Sequence, residues 1–116
     1  MITPLEGDLR REFLRGVELF NSSRYWDAHE AWEVVWKAAP EGERLFWQGL
    51  IQAAASMVHR QKANPHGIAT LSRKALEKLD RYPSPHHGVD VARFRDAVRA
   101  AAAGGDWPRV ELVGEA

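Results

Sequence analysis

Apolar residues recur along this chain at spacings of three and four, and almost nowhere at spacings of two. That is the pattern of helices laid against a core, not of strands. Leu9, Phe13, Val17 and Phe20 mark one face of a first helix that should end near Asn21. Its start has two candidate caps. Thr3 could open a capping box with Pro4 at the first helical position and Glu6 reaching back, but Gly7 weakens so early a start and makes Asp8 the other cap. Asn21-Ser22-Ser23 is a short break, and Ser22 or Ser23 can cap a second helix from about Tyr25 to Ala38. Pro40 opens the next loop, Glu41 and Glu43 suit a helix N-terminus, and the longest helix should cover about residues 43–62. Asn64-Pro65-His66-Gly67 ends it. A fourth helix, about Gly67 to Arg81, has Ile68, Leu71, Ala75 and Leu79 on one side, and Tyr82 to Gly88 is a loop. A fifth, capped by Asp90, turns Val91, Phe94, Val98 and Ala101 inward and stops at Gly104-Gly105. Trp107 should dock the tail onto the body.

The pattern predicts an all-α protein, one compact bundle of about five helices over residues 1–116, with a helix-turn-helix hairpin at 9–38. The hairpin is similar to a tetratricopeptide unit, but no second copy follows at the roughly 34-residue period an array needs.

Composition narrows the function classes. The chain has 116 residues, 45% hydrophobic and 28% charged, as an ordinary globular protein does. Sixteen basic residues balance sixteen acidic ones, so no net field draws in nucleic acid or an anionic membrane. The absence of cysteine excludes disulfides, thiolate metal sites and a cysteine nucleophile. The N-terminus has no apolar signal core, and no apolar run approaches the ~18 residues of a membrane span. A cytoplasmic protein is expected, with neither membrane nor nucleic acid among its partners.

Helical wheels locate the candidate chemistry. On the second helix, Tyr25, Ala28, Trp32, Val35 and Trp36 cover an apolar arc of roughly 100°. His29 and Glu33 border that arc as surface neighbours four apart, and Glu30 lies further toward solvent. His29-Glu30-Ala31-Trp32-Glu33 nearly spells the H-E-x-x-H zinc motif, but its second histidine is replaced by Glu33 and Glu30 points away. On the third helix, Gln48, Gln52, Ala55 and His59 form an uncharged polar stripe opposite a wide apolar arc. Exposed stripes usually carry charge, so this one should be approached by another element. The short second loop makes the second helix the simplest neighbour. The expected cluster is therefore His29, Glu33, Gln48, Gln52 and His59.

Other groups invite blander readings. The tryptophans at 32 and 36 are core residues, while Trp26 lies outside the arc and suits a partner surface. His86 and His87, with His66, read as solvated loop histidines. Arg93, Arg95 and Arg99, with Arg81 and Arg109, read as a solvated face. Ser56 lies near the His59 stripe but has no nucleophile elbow, and there is no phosphate-binding glycine loop.

Two runs, "LFNSSRYWDAHEAWEVVW" and "ERLFWQGLIQAAASMVHRQKANPHGIATL", resemble the uncharacterised family known as domain of unknown function 309. The resemblance covers about residues 9–80 and follows F-N-x-G-x-[YF], A-H-E-x-x-E-x-x-W and Q-G-L-I-Q-x-A-x-x-x-x-H, then a helix led by Gly67. Ser23 stands where that family usually has glycine. The resemblance implies a small all-helical prokaryotic protein and no transferable activity. It places His29, Glu33, Gln48, Gln52 and His59 within the family's own motifs.

Two functional expectations follow. The first is a cytoplasmic binding or interaction module whose His/Glu/Gln cluster between helices two and three is structural or lines a small-ligand pocket. The alternative is a metal-dependent, hydrolase-like enzyme, with His29, Glu33 and His59 holding a divalent transition metal. The surplus of aromatics leaves room for a homodimer.

Overall fold

The computed structural model describes residues 5–114. Among them five helices follow in order: α1 (Gly7–Asn21), α2 (Tyr25–Ala38), α3 (Glu41–Gln61), α4 (Pro65–Leu79) and α5 (Val91–Ala102). The fold is all-α. Three residues join α1 to α2, two join α2 to α3 and three join α3 to α4. Links so short lay each helix back along its predecessor. The 21-residue α3 is the central element, packed against α2 on one side and α4 on the other, with α5 touching both α4 and α3. The core is aromatic: Phe13, Phe20, Tyr25, Trp32, Phe46, Trp47 and Phe94 are each at most 1% exposed. No helix among the described residues is long and apolar enough to cross a membrane.

Small residues let the large ones in. Trp32 Nε1 donates to the Phe13 carbonyl at 3.2 Å. The indole also abuts Gly16, where any Cβ would overlap Nε1 and Cδ1. A Cβ on Gly49 would come within 2.9 Å of Leu79 Cγ, so glycine sets the closeness of α3 to α4.

Element interiors follow the apolar period, while several boundaries differ from the sequence expectation. The Thr3-Pro4 cap lies outside the described residues. The chain enters α1 through Gly7 at φ +57°, and Asp8 sits inside the first turn, paired with Arg11 rather than capping. Neither Ser22 nor Ser23 caps α2: Ser22 terminates α1, and Ser23 takes φ +63°. The family's usual glycine at this position thus has a backbone reason, since only glycine adopts this conformation without cost. The long helix begins at Glu41, directly after Pro40. The Asn64–Gly67 turn starts α4 as well as ending α3. Asn64 Oδ1 accepts from Gly67 N–H and Pro65 occupies the first turn, where its missing donor costs nothing. Asp90 caps α5 by accepting from Arg93 N–H, as expected.

The tail docks through two clasps. Asn21 grips Val110 with both amide atoms, accepting from its N–H at 2.8 Å and donating to its carbonyl at 3.0 Å. Trp107 stacks on Tyr25 with ring centres 5.6 Å apart, beneath the Arg60 guanidinium at 4.0 Å.

Two substitutions test these backbone arguments. Gly16→Ala should destabilise the fold by about 2–4 kcal/mol, through overpacking and loss of the Trp32 hydrogen bond. Ser23→Gly should stabilise it by about 0.5–1 kcal/mol, raising the melting midpoint by roughly 2–5 °C. Thermal and urea melts measure both, and a Gly16→Ala midpoint equal to wild type would contradict the packing argument.

Candidate functional site

The structure divides the cluster expected between α2 and α3. His29 and Glu33 do meet, Nε2 to Oε1 at 3.2 Å, and the His29 ring stacks on Trp26 at 4.9 Å. Trp26 itself is 58% exposed. Among the described residues no hydrogen bond joins this pair to Gln48 or Gln52, and His29 Nδ1 and Gln52 Oε1 are buried without partners. His59 turns the other way. Asn64 Nδ2 donates to its Nδ1 at 3.0 Å, and its ring lies where a Cβ on Gly67 would be. It therefore fastens the α3–α4 junction, and the trio His29, Glu33 and His59 does not converge on one point. A wheel gives a residue's angle on its own helix; α4, not α2, occupies the space in front of His59.

A different cluster does converge. Glu43 lies in the first turn of α3, one turn before Phe46 and Trp47 and two before Leu50. It shares their inward stripe, and its side chain is only 11% exposed. His86 Nε2 donates to Glu43 Oε2 at 2.8 Å, and His87 Nε2 stands 3.4 Å from Oε1. The second pair is close but not aligned as a hydrogen bond: His87 Nε2 and His86 Nδ1 are buried without hydrogen-bond partners. The imidazoles are 3% and 6% exposed. They were expected to be solvated, and the structure overturns that. His66 is exposed in the first turn of α4.

Local geometry explains the inward turn. His86 and Val89 exchange both backbone hydrogen bonds, with His87 at φ +47° and Gly88 at φ +77° between them. This is a two-residue hairpin turn of type I′. The tail braces its outer edge through Val113 N–H to the Gly88 carbonyl and Asp90 N–H to the Glu111 carbonyl. Aromatic rings wall the inner side: Phe46 meets His86 edge-on at 4.7 Å, and Trp47 lies 5.1 Å from His87. Tyr82 packs on His86 and donates its hydroxyl to the Gly42 carbonyl at 2.9 Å.

Beside this cluster lies a cavity of about 120 Å³ between the starts of α1 and α3 and the end of α2. Leu9, Val35, Ala39 and Trp47 give it apolar walls, and Glu43 and His87 supply its polar side. Burial pushes the His87 imidazole below its ordinary value, and the neighbouring His86 adds to this against the pull of Glu43. Burial raises the Tyr82 phenol.

With the geometry in place, comparison with known proteins is informative. A family model described as "Domain of unknown function (DUF309)" matches residues 13–71. The chain belongs to this family. It is also 29% identical over 75 residues to the "Uncharacterized protein YpuF" of Bacillus subtilis (strain 168), an overlap of 64% of this chain. The chain spans 41% of the length of that curated relative. Several motif residues of the family have structural tasks here: Asn21 clasps the tail, Gly49 seats Leu79, and Gly67 seats His59. Glu43 falls within the matched span, whereas His86 and His87 lie beyond it.

The depressed imidazole predicts a pH dependence. Unfolded His87 would titrate near 6.5, and the folded form lower. Its neutral form is fully compatible with the fold above the unfolded value, and stability is lost as pH falls below it, where the unfolded chain binds the extra proton. Melts between about pH 7.5 and 5.5 should show a falling midpoint, with a shallower fall in His87→Asn. Parallel profiles for the two proteins would refute this.

Proposed function

We propose that this chain is a small cytoplasmic binding module, and that its ligand occupies the cavity beside Glu43 and His87. One observation carries the reading: an apolar cavity of about 120 Å³ has a buried carboxylate and a buried imidazole in the same wall. Apolar lining with a few convergent polar groups is the usual make-up of a small-ligand site. The volume suits one ring or a short alkyl chain, as a cavity of similar size accepts benzene. Glu43 would favour an occupant that brings a donor or a positive charge. Catalysis has less support. The Ser56 hydroxyl is spent on the Ala53 carbonyl, and a hydrolase built on His29, Glu33 and His59 would have only two of its ligands together.

Amide NMR of isotope-labelled protein titrated with phenol, imidazole and benzylamine tests the reading. Saturable shifts are expected at Leu9, Val35, Ala39 and Trp47, and they should vanish in Leu9→Trp, which fills the cavity. A flat titration with all three compounds would overturn the small-ligand reading.

A further inference from the structure

We infer that Glu43, His86 and His87 form a binding site for a divalent transition-metal ion, with one carboxylate oxygen and one nitrogen of each imidazole as ligands. This rests on the reading that the Glu43 end of the bundle is the binding end, and it names the ligand for the polar wall of that site.

Convergence is the first argument. Among the described residues, this is the group of three histidine or acidic side chains whose ligand atoms lie within 4.8 Å of one another. The donor set is the second. Two imidazoles and a carboxylate suit zinc, cobalt, nickel, manganese or ferrous iron, whereas calcium and magnesium prefer oxygen alone. The third argument is unspent coordination capacity. His87 Nε2 has no hydrogen-bond partner and stands 3.4 Å from Glu43 Oε1, on a side chain 94% buried, so in the tautomer protonated at Nδ1 it offers a lone pair that no donor occupies. Burial also favours neutral His87, the form that ligates.

Spacing is compatible. Around a tetrahedral ion with bonds near 2.0–2.1 Å, ligand atoms stand about 3.3 Å apart. The 3.4 Å between His87 and Glu43 already fits. His86 Nε2 lies 2.8 Å from the other carboxylate oxygen, Oε2, and within 4.8 Å of the remaining ligand atoms, so it would turn toward the ion as the ion displaces the shared proton. Three protein ligands leave a coordination position open. The type I′ turn, its tail brace and the aromatic wall hold the imidazoles in place, so little ordering is left to binding.

The test is a cobalt(II) titration, then zinc(II), of the untagged, chelator-treated full chain, read by visible absorption and calorimetry. One equivalent should bind. His87→Asn, which tolerates the same backbone conformation, and Glu43→Gln should each weaken binding by at least about 100-fold, more than loss of an outer-shell contact costs. His29→Ala should leave binding unchanged. Circular dichroism in chelator checks that the variants fold. Should neither fold, the wild-type imidazole resonances decide: zinc must move those of His86 and His87 and leave His59 and His66 in place. Failure of wild type to bind either ion overturns the inference, as does wild-type affinity in folded His87→Asn or loss confined to His29→Ala. Fragment shifts without metal binding would sink the metal site alone, and metal binding without fragment shifts would sink the cavity reading alone.

Discussion

A carboxylate inside an aromatic core is the constraint around which one end of this molecule is arranged. Glu43 shares the stripe of Phe46, Trp47 and Leu50, so the packing that buries those residues also takes its charge out of water. An isolated ion there would be costly, and native structures offset that cost with a paired, hydrogen-bonding partner. Here His86 supplies that hydrogen bond from a loop 43 residues further along, and His87 arrives beside it. Presenting both demands the tight turn at His86–Val89, with positive φ at its two central residues. That turn in turn supplies the edge on which residues 111–113 pair.

The opposite end of α3 uses the same devices without buried charge. His59, Asn64 and Gly67 form one unit in which the amide donates to the ring and accepts from the backbone. Gly67 is needed because the ring lies on its Cα. Asn21 plays the comparable part at the α1–α2 turn, where both ends of its amide are engaged by Val110. In this chain Asn21, His59 and Gly67 thus act as joints between elements.

What was legible in the sequence follows from range. The apolar period located all five helices among the described residues, because periodicity is a local property. The inward arc of α2 and the exposure of Trp26 and Glu30 came out of a single wheel for the same reason. Boundaries were harder where unusual backbone intervened: Gly7 and Ser23 enter or leave helices at positive φ, and Ser23 has no side-chain feature that announces it. The α3 stripe reads as uncharged and approached by another element, and it is half-buried, but a wheel cannot say which neighbour covers it, and His59 packs on α4. His86 and His87 were misread because their partner is distant in sequence. A signal did exist in Glu43, three, four and seven residues before an aromatic, an aromatic and a leucine, all on one helical face. A lone carboxylate in such a stripe asks for a distant cation or imidazole, and the only histidine pair in a loop bordered by Tyr82 and Val89 was the natural candidate.

Histidine meets glutamate at two places among the described residues, and their surroundings set their roles. At His29–Glu33 the carboxylate is 39% exposed, so water screens the attraction and a pair of this kind contributes about 0–1 kcal/mol. It orients the ring on which Trp26 stacks and does little else electrostatically. At Glu43 the same functional groups sit within aromatic walls, where interactions between charges are far less damped. Protons, cations and polar ligands all couple more strongly to a site of that kind than to an exposed pair. The family motif draws attention to the first site, while the electrostatics of burial point to the second, whose two imidazoles lie outside the span matched by the family model.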